Sequence, residues 1–268
     1  MPDIPTFDLR GSGGSGRCSS FGGHVLGWRP DRHRPVLYLS PRARLDGSKA
    51  IRGGIPVCFP WFGAGPSGDR DPAHGTVRAK AWELKSQAEG GATLETDTPD
   101  GFRIALGARF GAELTLRVRV ERTGPAPAPF ELALHTYLAV SDAAEASVTG
   151  LAGASRLDQL TGERATQGPE PVRFDGEYDR VFTGCPGPQT LHDPGWGRRV
   201  VVTPTDLPSA VVWNPGPAKA ASMADLGEDQ FPRFVCIESG RVREDAPTLA
   251  PGEAFEAAVR FDVEPLEA

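Results

Sequence analysis

The sequence predicts an all-β protein, built as one large antiparallel sandwich. Short runs rich in β-branched and aromatic residues recur at close spacing along the 268 residues. The 33 glycines and 26 prolines interrupt the chain too often for long helices. Almost no stretch shows the period of an amphipathic helix, so strands must supply the layers that bury the core. We therefore expect a single domain spanning residues 1–268, a length that buries a sizeable core without disulfides.

Two runs carry the strand pattern most clearly. In residues 114–120, leucine and valine alternate with threonine and arginine, so that one face is buried and the other is in water. Residues 255–263 repeat this pattern with Phe, Ala, Val, Phe and Val on one side. Turn signals such as Pro-Asp-Gly at 99–101 separate the runs. The other predicted strands are residues 36–40, 104–108, 130–140, 199–203, 210–213 and 234–237.

The segment 10–23, with the sequence RGSGGSGRCSSFGG, differs from the rest of the chain in its glycine and serine content. Such a composition is typical of a flexible linker or a surface loop. We expect either a flexible lead-in or a loop between early strands. No second break of this kind and no internal repeat divides the chain.

The charge and hydropathy of the chain exclude several classes of protein. The net charge is −6 and is spread along the chain without a basic stripe, so we expect no nucleic-acid partner. No stretch reaches the roughly 20 apolar residues of a membrane helix. Residues 1–17 lack the apolar core of a signal peptide. We therefore expect a cytoplasmic monomer that does not associate with a membrane.

The four cysteines, Cys18, Cys58, Cys185 and Cys236, fit neither the spacing of a zinc site nor that of a redox pair. Cys58 and Cys236 lie in apolar runs, where a free thiol behaves as a small hydrophobic side chain. We expect buried, reduced thiols that hold no metal.

Two segments combine polar residues with glycine and aromatics. Residues 52–63 begin with Arg52 and continue with glycines, prolines and aromatic residues. Aromatic faces stack on sugar rings and glycine lets the backbone approach a ligand, although a loop that closes one end of the core would have the same composition. Further on, His74 and Arg78 follow a turn, four residues apart. They could bind a polar ligand, or they could be a structural histidine beside a solvated arginine.

Two further residues are suited to proton transfer. In the predicted strand 130–140 the leucines face one side and His135 faces the other, where a sheet can line a groove. Histidine titrates near neutral pH and often acts as an acid or a base. Glu238 follows the apolar run 234–237, and burial there can tune its pKa for work as a general base. A surface histidine and an ordinary strand-end glutamate are the alternatives.

At these residues the sequence resembles the hexose-6-phosphate mutarotases, or glucose-6-phosphate 1-epimerases, a branch of the aldose 1-epimerase superfamily. The matching blocks occur in family order, and together they are specific. Ala79 and Gly216 depart from the family pattern, which usually has asparagine and an aromatic residue at these two positions. The blocks are YLSPRA at 38–43, AIRGGIPVCFPWFG at 50–63, PAHG at 72–75, Arg78, WEL at 82–84, LHTY at 134–137, GL at 150–151, DRV at 179–181, VWNP at 212–215, MAD at 223–225 and CIE at 236–238.

The resemblance implies a galactose-mutarotase-like β-supersandwich with its site on a concave sheet face. It also implies that His135 is the general acid and Glu238 the general base. The implied substrate contacts are Arg52 and Arg78, which reach the sugar and its phosphate, together with His74 and Asp179.

The resemblance further implies an isomerase that interconverts the α and β anomers of a hexose 6-phosphate, glucose 6-phosphate foremost. Opening and closing the sugar ring needs only proton transfers, so we expect no cofactor and no metal. Two alternatives remain open, a mutarotase for unphosphorylated aldoses and a non-catalytic sugar-binding protein on the same fold. The presence of both His135 and Glu238 argues against the second, because binding alone needs neither.

Overall fold

The computed structural model describes residues 4–185 and 187–266, and strands make up most of its regular structure. The helices are short: α1 (Gly216–Ser222) and the 3-10 turns Val77–Ala79, Pro194–Trp196, Phe231–Arg233 and Arg243–Asp245. In chain order the strands are β1 (Thr6–Gly11), β2 (Gly14–Ser19), β3 (His24–Pro30), β4 (Val57–Cys58), β5 (Glu83–Ala88), β6 (Gly91–Asp97), β7 (Phe102–Phe110), β8 (Leu114–Arg122), β9 (Ala128–Pro129), β10 (Leu132–Leu134), β11 (Tyr137–Ala139), β12 (Ser147–Thr149), β13 (Ser155–Asp158), β14 (Arg164–Thr166), β15 (Tyr178–Thr183), β16 (Gln189–Asp193), β17 (Arg198–Thr205), β18 (Ser209–Asn214), β19 (Phe234–Arg241), β20 (Thr248–Leu249) and β21 (Ala254–Pro265).

Two eight-stranded antiparallel sheets form the body of the molecule. Sheet I runs in the order β14-β13-β15-β18-β19-β10-β4, and β11 also pairs with β19. Sheet II runs in the order β12-β16-β17-β21-β8-β7-β6-β5. The first three strands form a separate sheet, and β9 pairs with β20. The prediction of an antiparallel β-sandwich is confirmed.

One hydrophobic core joins the two sheets. Leu116 on β8 and Val259 on β21 are fully buried in the same cluster as Val212 and Ile237 of sheet I. Burying one such side chain contributes about 1.5–3 kcal/mol, so strands with this alternation pack with the apolar face inward. The arginines that alternate with the leucines and valines on β8 lie on the exposed face. The patterns seen in residues 114–120 and 255–263 therefore set the orientation of sheet II.

The segment 10–23 is neither a flexible lead-in nor a loop. Most of it forms the β1–β2 hairpin, and β2 also pairs with β3. The reason is close packing: a Cβ at Gly16 would lie 2.0 Å from the ring of Phe110. Glycine is required there so that a strand can pass beneath an aromatic ring, which composition alone does not distinguish from a linker.

Two other strand predictions also need correction. Residues 130–140 form two short strands, β10 and β11, rather than one, and both pair with β19. Residues 36–40 are extended but make only isolated bridges, from Leu37 to Leu138 and from Leu39 to Gly53. The remaining predicted runs lie within β7, β8, β17, β18, β19 and β21.

All four thiols are free, as predicted, and three of them are buried, whereas Cys185 is partly exposed. No helix in residues 4–185 and 187–266 is both long and apolar enough to cross a membrane.

A buried ion pair fixes one end of sheet II. Asp193, at the end of β16, is fully buried and lies 3.3 Å from the guanidinium of Arg198. Asp193 also accepts hydrogen bonds from the backbone and hydroxyl of Ser141, and Arg198 donates to the carbonyl of Ala139 at 2.6 Å. Burial lowers the pKa of Arg198, and the carboxylate opposes that shift. The pair therefore joins β16 and β17 to the chain that leaves β11.

We expect Asp193→Ala to lower the free energy of unfolding by about 3–5 kcal/mol, because it leaves a buried guanidinium without its partner. Urea unfolding followed by tryptophan fluorescence measures this. The matched control is Asp31→Ala, since Asp31 pairs with Arg10 on the surface. It should change the free energy by less than about 1 kcal/mol. Similar losses in the two variants would contradict the structural role of the pair.

Candidate active site

A pocket of about 360 Å³ opens where sheet I meets helix α1 and the loops that contain residues 52–63 and 72–78. Larger depressions of about 460 and 800 Å³ lie elsewhere, but no histidine lines either of them. All six residues predicted for catalysis and binding line the 360 Å³ pocket: Arg52, His74, Arg78, His135, Asp179 and Glu238. The fold thus brings together residues that are far apart in the chain.

His135 and Glu238 face each other on the sheet side of the pocket. Glu238 lies in the middle of β19 and not at a strand end, as the sequence suggested. His135 lies at the break between β10 and β11, where the N–H of Ile237 donates to the carbonyl of Thr136. His135 Nδ1 is 3.3 Å from Glu238 Oε1. Both side chains are buried, so the alternatives of a surface histidine and a surface glutamate are wrong.

Burial governs the protonation of this pair. It lowers the pKa of His135 well below its ordinary value of 6.5, and the neighbouring His74, Arg78 and Arg52 lower it further, because a second positive charge beside any of them is unfavourable. Burial also raises the pKa of Glu238 well above 4.5; Asp179 adds to this and Arg78 opposes it. The 3.3 Å contact between His135 Nδ1 and Glu238 Oε1 lacks hydrogen-bond geometry. Among the described residues, neither His135 Nδ1 nor the other carboxyl oxygen, Glu238 Oε2, has a hydrogen-bond partner. Other buried side chains in the described part of the chain, such as His24, also have an unpartnered polar atom, but here an imidazole and a carboxyl group with such atoms face each other in a pocket.

Aromatic rings fix the plane of the His135 imidazole. The ring of Tyr137 stacks parallel to it, with 4.7 Å between centroids and 5° between planes. Trp213 meets it edge-on at 5.8 Å, and the ring of His74 lies 5.7 Å away. The imidazole therefore has three rings packed around it.

His74 is held by the loop that contains residues 52–63. The backbone N–H of His74 donates to the carbonyl of Gly63 at 2.6 Å, and the ring nitrogen Nδ1 of His74 accepts from the backbone N–H of Gly63 at 3.4 Å. Glu131 fixes the same loop from behind by accepting from the N–H of Phe62 at 2.9 Å. Burial, followed by the charge of Arg78, lowers the pKa of His74 to about 3. The imidazole is therefore neutral, and with Nδ1 accepting, Nε2 carries the proton and can donate to a ligand.

The two arginines differ in their partners. Arg52 donates to both carboxylate oxygens of Asp225, at 3.3 and 3.2 Å, and to the hydroxyl of Tyr137 at 2.9 Å. Arg78 donates to the carbonyl of Ala73 at 2.8 Å. In the part of the chain that the structure describes, Arg78 makes no ion pair, so its charge acts on the pocket uncompensated.

Asp179 and Lys219 also line the pocket, Asp179 from the same sheet as Glu238. Asp179 on β15 accepts a hydrogen bond from Gln159 at 2.6 Å, and burial raises its pKa. Lys219 on α1 also lines the pocket and lies 2.6 Å from Glu177. Sequence reasoning missed Gln159 and Lys219. Lys219 follows soon after the VWNP block, which could have drawn attention to it, whereas Gln159 lies on a turn without a distinguishing pattern.

The aromatics of residues 52–63 mostly serve the core. Phe59 is fully buried, and Trp61 donates to the carbonyl of Pro72 rather than facing the pocket. Only Phe62 from this segment, together with Trp213 from β18, offers a ring to a ligand. Core closure therefore explains Phe59 and Trp61, and stacking on a sugar stays a prediction for Phe62.

Among the described residues, one group has the composition of a metal site. Ligand atoms of His135, Cys236 and Glu238 lie within 4.8 Å of one another. Burial raises the pKa of the Cys236 thiol well above its usual value of 9.0, so the thiol stays protonated and is a poor ligand. The chemistry of these three groups therefore favours proton transfer between the imidazole and the carboxyl.

The model of one protein family, aldose 1-epimerase, matches residues 6–262 of this chain. Two relatives share the name "Putative glucose-6-phosphate 1-epimerase". The one from Cenchrus ciliaris is 33% identical over 91% of this chain and 80% of its own length. The one from Escherichia coli K12 is 34% identical over 83% of this chain and 78% of its own length.

The fold has matching solved structures. A "putative mutarotase" from Salmonella typhimurium superposes with a TM-score of 0.88 at 25% identity, covering 99% of this chain and 92% of that protein. An Escherichia coli K12 protein described as an aldose 1-epimerase candidate superposes with a TM-score of 0.81 at 20% identity, over 98% of this chain and all of the other. The galactose-mutarotase-like fold is thus confirmed. With a family match over nearly its whole length, the chain belongs to the aldose 1-epimerase family and is an isomerase that interconverts the anomers of a sugar.

Proposed function

We propose that this mutarotase acts on hexose 6-phosphates, with glucose 6-phosphate as its foremost substrate, and that His135 and Glu238 are its acid and base. The observation that carries the proposal is a buried acid–base pair, 3.3 Å apart, in a pocket that also holds the uncompensated guanidinium of Arg78. The pair accounts for the chemistry, and the arginine for an anionic substrate.

The proposed reaction needs one proton removed and one supplied. Glu238 takes the proton of the anomeric hydroxyl while protonated His135 donates to the ring oxygen, and the C1–O5 bond breaks to give the open-chain aldehyde. The carbonyl group then rotates about the C1–C2 bond. The roles reverse as the ring closes on the other face, so the enzyme regains its starting state. Each positioned proton transfer is typically worth roughly 10²- to 10⁴-fold in rate.

The pair holds one proton in either of two arrangements. In the free protein, burial favours neutral His135 beside protonated Glu238. A bound sugar supplies a hydroxyl donor to Glu238 Oε2, which otherwise has no partner, and donation to a carboxylate favours its charged form. The proton then moves to His135 without exchange with solvent. With Nδ1 turned toward Glu238, Nε2 is the nitrogen left to face the ring oxygen.

The phosphate interaction rests on charge. Guanidinium binds phosphate oxygens through charge-assisted hydrogen bonds in a planar, forked geometry. Arg78 is free for this, whereas Arg52 is engaged by Asp225 and Tyr137 and offers a pre-oriented donor. His74 and Asp179 line the same pocket and are proposed to bind sugar hydroxyls. The competing proposal is a mutarotase for unphosphorylated aldoses. A pocket for such neutral sugars would not need an arginine that lacks a carboxylate partner.

We expect His135→Asn and Glu238→Gln each to lower kcat by at least about 100-fold with little change in substrate binding, because the amides keep shape but cannot carry the proton. Exchange NMR between the two anomers measures the rate after subtraction of the uncatalysed reaction. Glu121→Gln is the control for a glutamate-to-glutamine change on a strand, since Glu121 lies on β8 of sheet II and pairs with Arg119 outside the pocket. A variant of the pair that keeps near wild-type kcat would refute its role.

We expect kcat/KM not to fall as the pH drops through 6.5, the ordinary pKa of an imidazole. The active pair is net neutral, and burial disfavours both charged states. Protonation of His135 therefore removes activity only well below pH 6.5, and deprotonation of Glu238 removes it only well above pH 4.5. The pH profile should be measured with an unphosphorylated sugar, because the phosphate of a sugar phosphate itself titrates near pH 6. An acid limb at or above pH 6.5 would contradict this account. The other titratable or charged side chains near the pair are His74, Arg52, Arg78, Tyr137, Asp179 and Cys236.

We expect the wild-type enzyme to convert glucose 6-phosphate with a lower KM than glucose, and Arg78→Ala to raise only the first KM, by about 10- to 100-fold. Loss of a hydrogen bond to a charged group costs about 1.5–3 kcal/mol, which corresponds to this range. Polarimetry with glucose, glucose 6-phosphate and galactose 6-phosphate measures the comparison. Arg42→Ala, at an exposed arginine paired with Asp229, is the control for general charge effects. Equal KM values for glucose and glucose 6-phosphate in the wild type would favour the unphosphorylated substrate.

A further inference from the structure

Tyr137 lies between the proposed acid and one of the pocket arginines. Its ring stacks on the imidazole of His135 at 4.7 Å with 5° between the planes. Its hydroxyl accepts a hydrogen bond from Arg52 at 2.9 Å. Tyr137 is 1% exposed and does not itself line the pocket. One buried side chain thus contacts two groups that face the substrate.

The stack matters because the His135 ring lacks the usual anchor. A catalytic histidine is commonly oriented by a hydrogen bond from the ring nitrogen that does not face the substrate. Here Nδ1 has no hydrogen-bond partner, although it lies 3.3 Å from Glu238. Packing must therefore set the plane of the imidazole. Tyr137 covers one face of it, and Trp213 meets it edge-on.

The tyrosine ring is itself fixed. It meets Trp213 edge-on at 6.0 Å and lies against Phe234 at 5.1 Å and Tyr38 at 6.5 Å, all in one hydrophobic cluster. Its backbone is paired with Cys236 in the β11–β19 ladder. The ring has little room to shift unless this cluster opens.

The hydroxyl of Tyr137 also orients the guanidinium of Arg52. The guanidinium of Arg52 has two anchors, Asp225 on one side and Tyr137 on the other. The two bonds to Asp225 fix the plane of the guanidinium, and the bond from Nη1 to the Tyr137 hydroxyl holds its other edge. With the hydroxyl bound as well, the distance from the guanidinium to the imidazole is set by one rigid side chain.

We propose that Tyr137 is a positioning residue that holds the imidazole of His135 and the guanidinium of Arg52 in register, so that a sugar bound at Arg52 presents its ring oxygen to His135. The ring carries the first task and the hydroxyl the second. The inference rests on the proposed roles of His135 and Arg52. It adds a residue that touches neither the substrate nor the reacting atoms.

Three variants separate the two tasks. Tyr137→Leu removes ring and hydroxyl and should lower kcat by roughly tenfold or more, as expected when a reacting group is misplaced. Tyr137→Phe restores the ring and should recover most of that kcat, while KM for glucose 6-phosphate stays roughly fivefold or more above wild type. Tyr38→Phe removes a hydroxyl from the same cluster, one that donates to Gln230, and should match wild type.

A double variant identifies the route of the effect. In a His135→Asn background, Tyr137→Leu should cause little further loss of kcat, because the imidazole that it positions is already gone. Equal losses of kcat in the presence and absence of His135 would show a structural role only. A Tyr137→Phe variant with the kcat of Tyr137→Leu, or with an unchanged KM, would also overturn the proposal. If His135→Asn alone keeps full activity, it is the assignment of the acid that fails.

Discussion

The structure depends on burying an imidazole and a carboxyl group side by side, in surroundings that disfavour both the imidazolium and the carboxylate. Removing two ionisable groups from water is costly unless partners compensate for the loss. His135, at the break between β10 and β11, and Glu238, on β19, lie 3.3 Å apart, with apolar residues of these strands in the core behind them. The single proton that we propose they share keeps the pair net neutral, which is the state that burial favours. A site that exchanges one proton internally is therefore compatible with the core behind it.

At the two arginines of the pocket, attraction of an anion and not neutrality is the electrostatic requirement. The chain carries a net charge of −6, so an anion must be attracted by local charge against the overall field. Of the two arginines, Arg52 is paired and oriented by Asp225, while Arg78 remains uncompensated. The charge of Arg78 also lowers the pKa of both His74 and His135. The same side chain therefore suits an anionic ligand and helps to keep two imidazoles neutral in its absence.

Local patterns were sufficient for some elements and not for others. The alternation in residues 114–120 predicted the inward face of β8, because a two-residue period follows from strand geometry alone. The β2 strand escaped prediction because the reason for Gly16 is the ring of Phe110, which only the fold brings near. The break at His135 depends on pairing with β19, and Gln159 reaches Asp179 across a turn. Family motifs pointed to the two residues proposed as acid and base, but not to residues that only tertiary contacts bring to them.

The departure at Gly216 links sequence to the charge balance of the pocket. Gly216 has a φ of 60°, and a Cβ there would lie 2.5 Å from the backbone nitrogen of Glu177. Glycine thus lets the segment before β15 pack against the start of α1, where the aromatic residue usual in the family would not fit. That approach brings Glu177 to 2.6 Å from Lys219, so this lysine is neutralised. Of the three cations that line the pocket, two are then paired with carboxylates, and the attraction for an anion is concentrated at Arg78.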